Sequence, residues 1–147
     1  MRFDIETRAS PEQVRRALTD FSDARVRTWH RTLDAKTYAV LGQGESWAEA
    51  RESSPGSPFW VVARYDWSDP EVVRWTVTDS SYGGGGDGLV RVTPGVDGGS
   101  RVHAEWRNVD PRRQKLLLFL LRHGPASAVI SRMWTASLDR YATADGT

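Results

Sequence analysis

The sequence predicts an α+β fold in which a curved antiparallel β-sheet wraps around a long C-terminal α-helix, with one or two short helices after the first strand. Three observations support this prediction. A capped amphipathic helix follows the first alternating segment, about six alternating segments fill residues 35 to 109, and a helical segment covers 111 to 141. A twisted sheet with one apolar face needs an apolar partner, and the long C-terminal helix can supply it.

The N-terminal segment predicts one strand and then the clearest helix start in the chain. FDIETRA, residues 3 to 9, alternates apolar and polar side chains as a half-buried strand does. In the following SPEQVRRALTDF, Ser10 is placed as the N-cap, Pro11 takes the first helical position and Gln13 completes a capping box. SDARVRTW, residues 22 to 29, indicates a second short helix.

The middle of the chain predicts strands joined by turns. Gly42-Gln43-Gly44 suits a hairpin turn between KTYAVLG and SWAEARE, and SSPGSP, residues 53 to 58, is typical of a loop. In the later strands, apolar side chains recur at every second position. This spacing predicts an inward face that includes Phe59, Val61, Ala63, Tyr65, Trp67, Val73, Trp75, Val77, Val102, Ala104 and Trp106.

The four consecutive glycines of SSYGGGGDGLV raise the question of a phosphate-binding loop. Such a loop lies between a strand and a helix, and here a strand follows instead. The stretch is therefore predicted to be a flexible connection between two strands, near the mouth of a cavity. Tyr82 is its only large side chain, so we expect it to close over a ligand.

The C-terminal helical segment is interrupted at Gly124-Pro125, where a kink or break is expected. Its first half carries LLLFLL, residues 116 to 121, between basic flanks. Burial against the sheet is the first interpretation of this run. A lid or a homodimer interface is the second, and contact with an anionic membrane is the third.

The amino-acid composition limits which classes of function are possible. The 147 residues have the size of one domain, and a formal net charge of +1 gives no indication of a nucleic-acid partner. The chain has no cysteine, which excludes disulfides, thiol nucleophiles and cysteine-ligated metals. No signal-peptide core and no bilayer-spanning apolar run are present, so we expect a cytoplasmic protein without stable membrane insertion.

Several stretches together resemble a known superfamily. ASPEQVRRALTDFS, YDWSDPEVVRWTVTDS, VTPGVDGGSRVHAEW and the long C-terminal helix are similar to the START-like, Bet v 1-like group (SRPBCC) that includes polyketide cyclase/dehydrase-like proteins. The resemblance implies a helix-grip fold over nearly the whole chain. It also implies an apolar cavity between sheet and helix that binds lipids, sterols or polyketides. A minority of members are cyclases, dehydratases or hydrolases, and the resemblance carries no fixed catalytic motif.

The candidate ligand-binding residues are mostly large aromatics on the inward faces, which suit a cavity wall because they bury apolar area and keep a polar edge. The alternative is that they simply fill the core. His123, just before the helix break, either contacts a ligand or caps the first half-helix. The proposed contacts are Tyr65, Trp75, Trp106, Phe119, His123 and Trp134, and Trp29, Tyr38, Trp47 and Met133 are less securely placed.

No catalytic, metal or cofactor site is predicted. The three histidines lack metal-ligand spacing, and His103 lies on the polar face of its strand. Asp66 and Glu105 are expected to face solvent or to pair with Arg64 and Arg107.

Two hypotheses of function follow. The first is a binding or carrier protein for a hydrophobic small molecule. The alternative is a cyclase- or dehydratase-like enzyme that uses His123 or Tyr65.

Overall fold

The computed structural model describes residues 1–145, which form one seven-stranded sheet and four α-helices. In chain order the elements are β1 (Arg2–Thr7), α1 (Pro11–Thr19), α2 (Ala24–Thr28), β2 (Ala39–Gln43), β3 (Trp47–Glu52), β4 (Val61–Asp66), β5 (Val72–Ser80), β6 (Gly85–Pro94), β7 (Ser100–Val109), α3 (Lys115–His123) and α4 (Ala126–Asp145).

The sheet is antiparallel throughout, in the order β1-β7-β6-β5-β4-β3-β2. The first strand therefore lies at one edge beside the last, and the six later strands follow one another as a meander. Register shifts between Val40 and Gly42 in β2, and between Val62 and Ala63 in β4, mark irregularities that bend the strands. The predicted α+β architecture of a curved antiparallel sheet and a long C-terminal helix is confirmed.

The predicted start of α1 is also confirmed. The backbone N–H of Gln13 donates to the Ser10 hydroxyl at 3.2 Å, and the Ser10 N–H donates to the Gln13 side chain at 2.9 Å. This reciprocal pair satisfies two backbone donors at the helix N-terminus. Val14, Ala17 and Leu18 are buried on its inner face.

Helix α4 lies over the β1 edge of the sheet rather than over its centre. It packs against β1 and α1, where Leu138 is fully buried and the Trp134 ring meets the Phe3 ring edge-on at 5.3 Å. Because the helix lies over this edge, the inner face of the central strands is left partly uncovered. The predicted break in the C-terminal segment is confirmed, since α3 ends at His123 and α4 begins at Ala126.

The glycine-rich stretch is mostly strand, which corrects the prediction of a flexible loop. Gly85, Gly86 and Gly88 belong to β6, and the turn before it spans residues 81–84. A Cβ at Gly88 would overlap the indole ring of Trp75 on the neighbouring strand. The glycine therefore makes room for a large ring on the inner face. Similarly, Gly42-Gln43 ends β2 instead of forming the hairpin turn.

Burial of the LLLFLL run, the first interpretation of that stretch, is wrong for most of its residues. Leu118 is buried and Leu121 half-buried, whereas four side chains of α3 are exposed: Leu116, Leu117, Phe119 and Leu120. The physical reason is that α3 lies beside α4 rather than on the sheet, so only one narrow side of the helix is covered.

Candidate functional site

A cavity of about 540 Å³ lies between α4, the short helix α2 and the inner face of the central strands. Leu118 and Leu121 of α3 and the loop of residues 53–60 complete its wall. Its volume falls within the roughly 300–1,000 Å³ typical of small-molecule sites. Ala63 and Ala104, which the sequence pattern placed inward, are buried but do not line it.

Aromatic rings make up much of the cavity wall. Along the sheet, Tyr65 lies 5.8 Å from Trp75, and Trp75 lies 6.3 Å from Trp106, between ring centroids. On the wall that faces the sheet, the ring of Trp29, just after α2, contacts the ring of Trp134 of α4, with 5.0 Å between the ring centroids. All three pairs are tilted, and rings at these separations stabilise one another. The wall is therefore apolar and held in place by its own packing.

The structure brings together most of the residues that the sequence proposed. Tyr65, Trp75, Trp106 and Trp134 all line the cavity. Phe119 does not, because its side chain is 57% exposed on the outer side of α3. The side chain of His123 lies outside the described residues. Contact of any of these residues with a ligand stays a prediction.

The less securely placed residues divide in the same way. Trp29 lines the cavity, whereas Tyr38, Trp47 and Met133 do not. The Trp47 ring lies on the outer face of the sheet, where the Arg64 guanidinium stacks over it at 4.1 Å. Side chains alternate between the two faces of a strand, and Trp47 directly precedes the inward-facing Ala48, so its ring points outward.

One end of the cavity carries charged and polar side chains, which we call the polar end: Arg25, Glu52 and Tyr65. The Arg25 Nε donates to Glu52 Oε2 at 3.0 Å, and the Tyr65 hydroxyl donates to Glu52 Oε1. The side chains of Arg25 and Glu52 are only 8% and 10% exposed. A buried ion pair of this kind needs further hydrogen bonds to offset its desolvation, and Tyr65 supplies one.

Burial and charge shift the titration of these groups. Burial, together with the neighbouring Glu52 carboxylate, raises the pKa of Tyr65 well above its ordinary value. Burial by itself lowers the pKa of Arg25, but the attraction of Glu52 and Tyr65 together with the hydrogen bond to Glu52 raises the pKa above its ordinary value. Tyr65 therefore remains a neutral hydrogen-bond donor and Arg25 remains a cation.

The Arg25 guanidinium keeps unused donors at the cavity wall. It has five N–H groups. Its Nη1 donates to the Leu18 carbonyl at 3.1 Å, and the Phe21 ring covers one face at 4.0 Å. The Tyr65 hydroxyl oxygen is a further partner, and for the remaining two N–H groups no acceptor is found within residues 1–145. Arg25 lines the cavity, so these donors are available to a bound molecule.

Sequence reasoning missed both Arg25 and Glu52. A signal for Glu52 was present, since it shares the inward parity of β3 with the small residues Ala48 and Ala50. No comparable signal marked Arg25, because α2 carries a second arginine at Arg27 that is exposed. Only the fold shows which of the two arginines reaches the carboxylate.

Hydrogen bonds of Tyr82 and Gln114 hold together another part of the cavity region. The Tyr82 hydroxyl donates to Asn108 Oδ1 at 3.0 Å, and burial raises its pKa. Gln114, just before α3, accepts from the Ser81 hydroxyl at 2.9 Å and donates to the Pro58 carbonyl at 3.0 Å. Tyr82 lines the cavity, and its closure over a ligand stays a prediction.

The outer face of the sheet carries the polar residues that the sequence placed there. His103 contacts Asp4 Oδ1 and Glu105 Oε2, each at 2.9 Å, so Glu105 pairs with a histidine rather than with Arg107. Asp66 is exposed and accepts hydrogen bonds from Ser68.

Residues 1–145 lack two further features. No cluster of three or more potential metal ligands is present in this range. In the same part of the chain, no helix is both long and apolar enough to cross a membrane.

Comparison with known families gives one match over almost the whole chain. The family described as "Polyketide cyclase / dehydrase and lipid transport" matches residues 1–144. The chain belongs to this family. A search of curated protein sequences finds no match. The resemblance to the START-like, polyketide cyclase/dehydrase-like superfamily is thereby confirmed.

Solved structures share the fold at low sequence identity. TTHA0849 from Thermus thermophilus is 16% identical with a TM-score of 0.74, covering 100% of this chain and 99% of that one. The Zhui aromatase/cyclase from Streptomyces sp. R1128 is 13% identical, with a TM-score of 0.67 and coverage of 95% and 93%. Norcoclaurine synthase from Thalictrum flavum, in complex with dopamine and hydroxybenzaldehyde, is 9% identical, with a TM-score of 0.66 and coverage of 95% and 83%. At these identities the likeness establishes the helix-grip fold.

Proposed function

We propose that this protein binds a hydrophobic, ring-containing small molecule in the cavity between the sheet and α4. The observation that carries the proposal is a cavity of about 540 Å³ whose wall is built of contacting aromatic rings and has one buried polar end. Rings on the wall give a flat apolar ligand extensive contact, and the polar end fixes its orientation. The cysteine-free sequence is consistent with a cytoplasmic location, which we retain as part of the proposal.

Membership of a family described by cyclisation and lipid transport supports a ligand-binding role in this fold. Two structural neighbours are named for aromatic chemistry, an aromatase/cyclase and a synthase bound to dopamine and hydroxybenzaldehyde. These parallels favour an aromatic or polyketide-like ligand over a long acyl chain.

The proposal is tested by filling the cavity. Val77 of β5 lines the cavity, and its neighbour Thr76 is exposed on the opposite face of the same strand. The neutral dye Nile red is expected to bind the wild-type protein and Thr76→Trp with similar affinity, and Val77→Trp at least about tenfold more weakly because the new ring occupies the cavity. Equal binding to all three proteins, or no binding to the wild type, would contradict the proposal.

A second candidate function is cyclase- or dehydratase-like catalysis. One observation favours it, because Tyr65 lies in the cavity wall as a neutral hydroxyl bonded to a carboxylate. In an aldol condensation the Glu52 carboxylate can accept an α-proton from one ketone, the resulting enolate carbon bonds to a second carbonyl carbon, and the Tyr65 hydroxyl donates its proton to that carbonyl's oxygen and regains one from Glu52. The new hydroxyl group then leaves as water together with a second α-hydrogen. A poly-β-ketone analogue incubated with the wild type and with Tyr65→Phe tests it. Equal product from both proteins, or product from neither, would contradict this function.

A further inference from the structure

We propose that the polar end selects ligands whose polar group is an uncharged oxygen, a ketone or a hydroxyl, over matched ligands that carry a carboxylate or an ammonium. The inference rests on the proposed function and specifies the ligand class of the same cavity. It follows from two properties of Arg25, Glu52 and Tyr65: their charges cancel, and some of their hydrogen-bonding groups have no protein partner within residues 1–145.

The polar end carries no net charge. The Arg25 cation and the Glu52 anion are 3.0 Å apart and both are nearly buried, and Tyr65 is neutral. The other polar side chains of the cavity wall outside the charged groups are uncharged, among them Thr32, Ser53, Ser54, Ser57 and Asn108. A ligand ion placed here would lose its hydration and gain no net opposite charge in return.

The remaining charged groups on the cavity wall belong to its other side. Asp87 and Arg107 pair with each other at 3.0 Å, and the Met1 ammonium donates to the Trp106 carbonyl at 2.7 Å. Trp106 and Tyr65 lie in register three strands apart, with Gly88 and Trp75 between them. At about 4.8 Å per strand, this separation is roughly 14 Å. These charges therefore do not alter the balance at the polar end.

Hydrogen bonding favours an uncharged oxygen for a further reason. Arg25 has N–H groups without a protein acceptor among the described residues, and they can donate to a ketone or hydroxyl oxygen. A hydroxyl can in addition donate to Glu52, whose carboxylate has more lone pairs than its two protein donors occupy. A carboxylate would lie against Glu52, and an ammonium would lie against Arg25.

The direct test compares naphthalene ligands that differ only in their polar group, each measured by displacement of Nile red from the wild-type protein near pH 7. We expect 2-naphthol and 2-acetylnaphthalene to bind at least about tenfold more tightly than 2-naphthoate and 2-naphthylmethylammonium. Tighter binding of either ion than of both neutral ligands would overturn the inference.

A charge substitution then tests the cause. Glu52→Gln leaves Arg25 without its counter-ion, so the polar end becomes positive and the ratio of 2-naphthoate to 2-naphthol affinity should rise at least about tenfold. Glu49→Gln is the matched control, because it removes the same charge from the outer face of the same strand and should leave the ratio unchanged. An unchanged ratio in Glu52→Gln, with native far-UV circular dichroism, would overturn the inference. If Glu52→Gln does not fold, the affinities of the four naphthalene ligands for the wild-type protein test the inference by themselves.

The two proposals fail in different ways. If Nile red binds and Val77→Trp blocks it, but the four naphthalene ligands bind equally, the cavity function stands and the selectivity is refuted. If Nile red and all four ligands fail to bind, the proposed function itself is refuted.

Discussion

The two ends of the cavity are built on opposite principles. At the polar end, Arg25, Glu52 and Tyr65 come from three different elements and are held by hydrogen bonds to Glu52; Arg25 and Glu52 are buried and Tyr65 is half-buried. At the other end, α3 exposes large apolar side chains, with Leu116 70% and Phe119 57% exposed. Regions with few buried contacts open at lower free energy than densely bonded ones. Under the proposed function, we expect recognition at the polar end and ligand access beside α3.

The largest expected effect is the loss of the buried counter-ion. Glu52→Ala leaves Arg25 charged and unpaired in the interior, and removal of one partner of a buried ion pair typically costs about 3–5 kcal/mol. Urea denaturation should show this loss in the free energy of unfolding. The control is Glu12→Ala, which breaks an exposed pair with Arg16 on α1 and should change that free energy by less than about 0.5 kcal/mol. Similar losses in both variants would mean that the polar end contributes no special stability.

The next largest effect is expected at Leu118 of α3, with Leu116 of the same helix as the control. Leu118 is 7% exposed and lines the cavity, so Leu118→Ala should lower the free energy of unfolding by about 2 kcal/mol. Leu116→Ala, on the exposed side of the same helix, should remain within about 0.5 kcal/mol of the wild type. Thermal denaturation of the pair measures both. If Leu118→Ala is as mild as Leu116→Ala, α3 contributes little to closing the cavity.

An effect of similar size is expected in the glycine-rich strand. In Gly88→Ala the added Cβ would overlap the Trp75 ring, which must shift at a cost of about 1–3 kcal/mol. Gly85→Ala, on the same strand, places its Cβ 3.4 Å from the Val77 carbonyl oxygen and should be tolerated. Urea denaturation followed by tryptophan fluorescence measures the stability and the ring displacement together. Equal stability of the two variants would contradict the role assigned to Gly88.

The smallest effect is the pH dependence set by His103 on the outer face. Its hydrogen bonds to Glu105 and Asp4 raise its pKa above the ordinary 6.5. The folded state therefore holds the proton more tightly. The stabilisation is complete below pH 6.5 and disappears as the pH rises through the higher pKa of the folded protein. His103→Gln should flatten this part of the curve of stability against pH. A wild-type curve that rises over the same interval would contradict the assignment.

Local signals predicted the fold well. The capping box of Ser10 and Gln13, the strand alternation and the Gly124-Pro125 break each depend on neighbours in sequence, and all three are present. These signals sufficed to predict an antiparallel sheet with a long C-terminal helix.

Contacts between distant residues explain what the sequence could not predict. Arg25 meets Glu52 only because the fold brings α2 within side-chain reach of β3, and Gly88 is needed because of Trp75 on another strand. Since α3 is apolar on all sides, its sequence did not show which side of the helix would be buried. For that reason Phe119 was placed in the cavity wall, whereas it lies outside.

The most direct test of ligand binding in this cavity uses the tryptophans as reporters. The protein has seven, of which Trp29, Trp60, Trp75, Trp106 and Trp134 line the cavity and Trp47 and Trp67 do not. Two-dimensional NMR of the indole N–H groups during titration with 2-naphthol should show saturable shifts for the five lining residues and little change for Trp47. Shifts centred on Trp47, or no saturable shift at the five, would contradict the account.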